Sequence, residues 1–339
     1  MPNRFFLWLY NYATPVQLDL GNLPPDLPAT DLRYLLRILQ HLDELLPAAG
    51  ITFVLTWHLD SFHEVMKDAV VLLAGDELHQ TPAYQRHVKA IFKTCGLRRD
   101  PTGTTLQLPA SITWRVFLRE ARNAVIRVRR WWKREPPRKI VTPRYEIPLG
   151  YFHLREVEPL PIEQRPLDAF FAGSASLSGR LGTLRAPAIA RQQMTAALAA
   201  VQVRLPRCRI KSVMVTPVPG TALSAEAYTQ DLASAKIALS PRGNHDAETA
   251  RLFEGAKVGC AIISEPLPPR WYLQGCPAVI IRRWSELPDV ISDLLNDSAR
   301  LKELSVKGRQ WWESTVSEKA IAEFIAQRVP RTACAPQRV

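Results

Sequence analysis

Ser234-Ala235-Lys236-Ile237-Ala238-Leu239-Ser240-Pro241-Arg242-Gly243-Asn244-His245-Asp246-Ala247-Glu248-Thr249-Ala250-Arg251-Leu252-Phe253-Glu254-Gly255-Ala256-Lys257-Val258-Gly259-Cys260-Ala261-Ile262-Ile263 is the stretch on which the fold turns. An apolar run of strand length over 236–240 ends at a Ser-Pro-Arg-Gly turn, and a polar loop follows. Residues 247–258 have helical spacing, and a second apolar run occupies 260–264. Strand, helix and strand in so short a span require parallel pairing, because the helix must carry the chain back across the sheet.

The same alternation extends in both directions. Upstream, strands are expected at 167–172 and 209–216, with helices at 188–201 and 225–234; downstream come a strand at 278–281 and helices at 285–295 and 318–327. In the amino-terminal half, 5–10, 51–57 and 69–74 read as buried strands. Leu32, Leu35, Leu36, Ile38, Leu39, Leu42 and Leu45 place a helix over 31–46, with Asp31 at its start. The fold class is α/β with two parallel-sheet domains. Prolines at 136, 137, 148, 159 and 161 interrupt the pattern, giving expected domains 1–150 and 151–315 and a terminal helix and tail at 316–339. A chain of 339 residues has room for two such cores.

Composition narrows the class. Hydrophobic residues at 47% and charged residues at 22% are ordinary globular values, which sets aside disordered, collagenous and coiled-coil chains. No apolar run reaches the ~18 residues of a spanning helix, and Phe5-Phe6-Leu7-Trp8-Leu9-Tyr10 is too short for a signal-peptide core, so the expected location is cytoplasmic. Five scattered cysteines show no metal or disulfide spacing, and no H-E-x-x-H or D-x-D run occurs, so no metal site is expected. Dinucleotide, Walker and nucleophile-elbow motifs are absent as well.

Charge is unevenly placed. The 44 basic and 32 acidic residues give +12, and between Arg115 and Lys139 ten basic residues face two acidic ones. Such a segment suits a polyanion. Over 114–134, Trp114, Phe117, Leu118, Ala121, Val125, Val128 and Trp132 share one helical side. Arg115, Arg119, Arg122, Arg129, Arg130 and Lys133 share the other. Either the apolar side packs on the core or it meets an anionic membrane surface.

The turn after 240 carries chemistry. A helix amino end with its free N–H groups is a ready anion site, and Arg242 and Arg251 add charge suited to bidentate phosphate contact. Glu254, three residues after Arg251, either accepts hydrogen bonds from a sugar diol or forms an ordinary surface pair with that arginine.

This stretch resembles the donor-binding domain of the exostosin-like glycosyltransferases, whose pattern is S-x-F-x-L-x-P-x-G, a polar loop, S/T-x-R-x-x-E-A and G-C-I-P-V-I before Leu-Pro. Ser234, Leu239, Pro241, Gly243, Thr249, Arg251, Glu254, Gly259, Cys260 and Leu267-Pro268 fill matching positions. Phe170-Phe171-Ala172-Gly173-Ser174 with Arg180 resembles the family's entering strand and turn, and 278–281 with Trp284 its next strand. The resemblance covers about residues 167–300; Ile237 stands where an aromatic is usual, and Ala261 replaces a proline.

It implies two Rossmann-like domains facing a cleft, the GT-B arrangement, and a metal-independent transfer from a nucleotide-sugar donor such as a UDP- or GDP-sugar. The acceptor would be a glycan or lipid-linked glycan, in bacterial surface polysaccharide synthesis. Gly173, Ser174, Arg180, Arg242, Gly243, Asn244, His245, Thr249, Arg251 and Glu254 would form the donor site, and Glu254→Ala would abolish transfer without unfolding. An inverting enzyme also needs a base. Asp76 and Glu77, after the strand at 69–74, are the first candidates and His58 and Asp60 the second; all four are also ordinary turn or capping residues. The membrane option adds peripheral contact through 114–134. Competing readings are a fucosyltransferase-like GT-B enzyme and a nucleic-acid-binding or scaffold protein using the basic helix; the latter lacks an RNA-binding signature, and nucleic acid is not the expected partner.

Overall fold

The computed structural model describes residues 1–23, 32–75, 80–97, 110–132, 142–174, 186–215, 222–243 and 246–329. In chain order the elements are β1 (Arg4–Trp8), β2 (Val16–Gln17), α1 (Arg33–Leu45), β3 (Thr52–Thr56), β4 (Val70–Leu73), β5 (Ala90–Lys93), α2 (Ala110–Trp132) and β6 (Arg144–Glu146). They continue with β7 (Leu167–Ser174), α3 (Ala186–Arg204), β8 (Ile210–Val215), α4 (Ala225–Ala233), β9 (Ala235–Ser240), α5 (Ala250–Lys257), β10 (Ala261–Ser264) and β11 (Val279–Ile280), and close with α6 (Leu287–Asn296), α7 (Ser298–Trp311) and α8 (Glu318–Ala326). The chain divides into two compact units, one of Met1–Leu97, Glu135–Pro148 and Glu318–Val339, the other of Arg98–Arg134 and Leu149–Ser317.

The first unit holds a sheet in the order β2-β1-β3-β4-β5-β6, parallel except for the β1–β2 pair. Alternate residues explain its burial on both faces. Phe6, Trp8, Val54, Val71, Leu73 and Ile91 gather on one side with Met66, Tyr84 and Val88 from the connections. Phe5, Leu7, Phe53, Leu55, Leu72 and Phe92 alternate with them and are equally buried. Helix α8 packs on α1, and Phe324 meets the rings of Phe92 and Tyr145 edge-on. Because Ile321 is fully buried, Ile321→Asp should destabilise this unit by about 3 kcal/mol or more in a urea titration, since it buries a carboxylate without a partner.

The second unit holds an all-parallel sheet in the order β11-β10-β9-β7-β8. Its strand order reverses between β7 and β9, which sends successive connections to opposite faces and opens a crevice beyond their carboxyl ends. On one face Ala169, Phe171, Ile237, Leu239, Ala261 and Ile263 pack against Met194, Leu198 and Val201 of α3 and Ile291 and Leu294 of α6. Across the sheet, α5 lies close on β9: a Cβ at Gly255 would stand 2.9 Å from that of Ala238. The helix stops at Gly259, whose φ of 72° is left-handed, and the buried Arg165 caps its end by donating to the carbonyls of Val258 at 2.6 Å and Ala235 at 2.9 Å.

Two alternating parallel sheets are present, as the sequence pattern requires. β5, β6 and α7 were not anticipated, and α5 begins at Ala250 rather than at 247. Of the segment 114–134, α2 includes all but 133 and 134, which lie outside the described residues.

Candidate anion-binding site

β7 ends at Gly173-Ser174 and β9 at Ser240, so both carboxyl ends of the switch point open onto the same edge of the sheet. Arg251, second residue of α5, spans that edge. Its Nη1 donates to Ala172 O and its Nη2 to Pro241 O, each at 3.4 Å, and its guanidinium lies 5.1 Å over the Phe171 ring. These contacts are long, and Nε is buried with no hydrogen-bond partner. Arg191 approaches from α3, with Nη1 donating to Ser174 O; it is 8% exposed, and its Nε is also buried and unpartnered. Neither arginine forms an ion pair among the described residues.

Electrostatics mark the pair as unsatisfied. Burial, then the charge of Arg251, lower the Arg191 pKa to about 10. Burial lowers that of Arg251, against the opposing pull of Tyr228 and Glu254. Arginine does not deprotonate at neutral pH, so holding Arg191 out of water beside Arg251 opposes folding. A bound dianion would remove that penalty.

A Cβ at Gly173 would lie 2.8 Å from the Phe171 ring and 3.1 Å from Arg251 Nη1. Gly173→Ala should therefore displace the guanidinium, with a stability loss of about 1–2 kcal/mol in a urea titration. Thr249 is the N-cap of α5 but makes no side-chain cap bond; its hydroxyl meets Ser240 Oγ at 2.8 Å instead. The first turn of the helix is thus left without the usual side-chain acceptor.

Other expected donor residues have internal roles. Glu254 is 1% exposed: Oε1 accepts from the N–H groups of Phe152 at 2.9 Å and His153 at 3.0 Å, and Oε2 from Tyr228 Oη at 2.5 Å. Fully enclosed and triply bonded, it anchors segment 149–153, which corrects the expectation of a sugar contact. Arg242 is 3% exposed; its N–H donates to Glu265 Oε2 at 2.7 Å and its charge counters that buried carboxylate, whose pKa burial raises. That charge serves the interior rather than an incoming phosphate. Gly243 closes the turn, donating to Asp246 O at 2.8 Å.

Asp246 and Glu248, which sequence reading placed in or beside the helix start, both pair with Arg270, and Glu248 also accepts from Leu149 N and Tyr272 Oη. They fix the loop that positions α5. Asp76, Glu77, Arg180, Asn244 and His245 lie outside the described residues. His58 Nε2 donates to Leu9 O at 3.0 Å and its ring packs on Trp8, so that nitrogen is already engaged. Among the described residues no group of three or more His, Cys, Asp or Glu side chains could hold a metal ion. Arg191 is not marked by the sequence pattern; it sits in an alanine-rich helix outside any motif, and its one signal is a cation in the first turns of the helix that follows the Gly-Ser strand end.

No protein-family model and no curated protein matches the chain. Among solved structures it is similar to a sucrose-phosphate synthase from Thermosynechococcus elongatus, at 11% identity over 85% of this chain and 90% of that one, with a TM-score of 0.45. It is also similar to a glycosyltransferase from Rickettsia africae, at 8% identity over 89% and 97% with a TM-score of 0.44. A third is a glycosyltransferase involved in avilamycin A biosynthesis, at 13% identity over 95% and 97% with a TM-score of 0.39.

Proposed function

We propose that the chain is a glycosyltransferase that binds a nucleotide-sugar by its diphosphate at Gly173, Ser174, Arg191 and Arg251 and passes the monosaccharide to a glycan or lipid-linked glycan. The observation that carries this reading is the pair of guanidiniums at the strand-order reversal, Arg191 buried and Arg251 half-buried, neither ion-paired to a carboxylate among the described residues. Ligands of open parallel sheets bind at that place, and Arg suits the forked oxygens of phosphate. The exostosin-like pattern around Pro241, Thr249 and Arg251 supports the donor class.

In the transfer, an acceptor hydroxyl attacks the anomeric carbon, the bond from that carbon to the diphosphate oxygen breaks, and the departing diphosphate keeps the electron pair. Arg191 and Arg251 stabilise the charge that develops there, the part a metal ion plays in other transferases. Asp76 or Glu77 takes the hydroxyl proton if the sugar inverts.

Slow donor hydrolysis, with water in place of the acceptor, tests this without knowing the acceptor. Incubated with UDP-, GDP-, dTDP- and CMP-sugars and followed by NMR, the protein should consume at least one, and Arg251→Ala should slow it about a hundredfold or more. Consumption of that donor at the wild-type rate by Arg251→Ala would remove the site from the reaction.

A further inference from the structure

Helix α2 presents its apolar side to solvent. Trp114 is 65% exposed, Val128 54% and Leu118 and Val125 52% each, with Phe117 and Ala121 exposed between them. At 100° per residue these positions form one stripe, about 21 Å long at 1.5 Å per residue. Arg122 and Arg129 are exposed along its flank. Of the two options open in the sequence, packing of this side on the core is excluded for these residues.

We propose that α2 docks the protein on an anionic phospholipid bilayer, lying in the headgroup plane with the Trp114–Val128 stripe immersed and the arginines on lipid phosphates. Charge complementarity selects this occupant: from 110 to 132 the helix carries six arginines and the one acid Glu120, in a segment with ten basic residues from 115 to 139. A second copy of the chain would set that charge against itself. The middle of the stripe is aliphatic, offering no run of rings for nucleic-acid bases to stack on. Among the described residues no helix is long and apolar enough to cross a membrane, so contact would be interfacial. The inference stands apart from the donor site, although it would bring a lipid-linked acceptor to the enzyme.

Cosedimentation of the full chain with vesicles decides it. The protein should pellet with phosphatidylcholine vesicles containing phosphatidylglycerol, not with phosphatidylcholine alone, and should be released by salt. Leu118→Glu with Val125→Glu, both exposed and so compatible with folding, should reduce binding by about tenfold or more while leaving the melting temperature unchanged. Tryptophan emission should shift to the blue on vesicle addition, and Trp114→Phe should remove most of that shift. No binding to anionic vesicles at low salt, or equal binding by the double glutamate variant, overturns the proposal. So would tight binding to single-stranded RNA without vesicle binding, or a concentration-dependent dimer that Leu118→Glu dissolves.

Discussion

Replacing Arg191 and Arg251 together by methionine should leave the ligand-free protein as stable as wild type or more stable, while transfer falls by about a hundred- to ten-thousandfold. The two effects have one cause. Arg191 is buried beside the half-buried Arg251, and burial and that neighbouring charge lower its pKa to about 10. A cation whose folded-state pKa lies below its unfolded value opposes folding at every pH below that folded value, and the opposition fades only as the pH rises through it. At neutral pH the penalty is fully present, on the order of 1–3 kcal/mol. Methionine removes it at similar volume, at the loss of the donations to Ser174 O, Ala172 O and Pro241 O. Two charge-assisted phosphate contacts, about 1.5–3 kcal/mol each, account for the lost turnover. Thermal unfolding and donor consumption measured on the same preparation check both halves. A variant that melts far below wild type yet keeps its turnover would make the pair structural.

Glu254→Ala is expected to do the opposite: lower the melting temperature by about 10 °C. Removing the carboxylate strands the N–H groups of Phe152 and His153 and the hydroxyl of Tyr228 in a sealed site. Three unsatisfied donors cost about 3–5 kcal/mol together. Tyr228 cannot supply compensation by ionising, because burial and then Glu254 push its pKa well above the usual value. Tyr228→Phe removes one donor and one bond and should cost about 1–2 kcal/mol. A ribose contact at Glu254 would give the reverse pattern, an unchanged melting temperature with transfer lost.

The strands legible in the sequence are those buried on both faces, where Phe53 to Leu55 and Val70 to Leu73 leave no polar position to blur the run. β5 and β6 were not legible because Lys93 and the Arg-Tyr-Glu of β6 carry no strand signal of their own; neighbouring strands supply their pairing. Lys93 folds inward and donates to Gly96 O at 2.7 Å, which a linear pattern does not reveal. α7 was hidden by its polar composition and by Gly308, a residue unfavourable to helix that allows α7 to run close to Ala256 and Cys260.

Gly173, Gly243, Thr249 and Arg251 lie at or just after the carboxyl ends of β7 and β9, a placement legible in the sequence because strand, turn and helix amino end are local features. Roles depend on partners distant in sequence. Glu254 is claimed by residues 101 and 102 positions upstream, and Arg242 by Glu265. Helical spacing over 247–258 overstates the start of α5 for the same reason: the carboxylates of Asp246 and Glu248 are held by Arg270, and the helix begins at Ala250.

Calorimetric titration of UDP, GDP, dTDP and CMP into wild type and the double methionine variant tests most directly whether Arg191 and Arg251 hold a diphosphate. At least one nucleoside diphosphate should bind the wild type, far more tightly than its nucleoside, and the variant should show no measurable heat with it. Equal affinity in both proteins, or no binding of any nucleoside diphosphate to the wild type, would contradict the account.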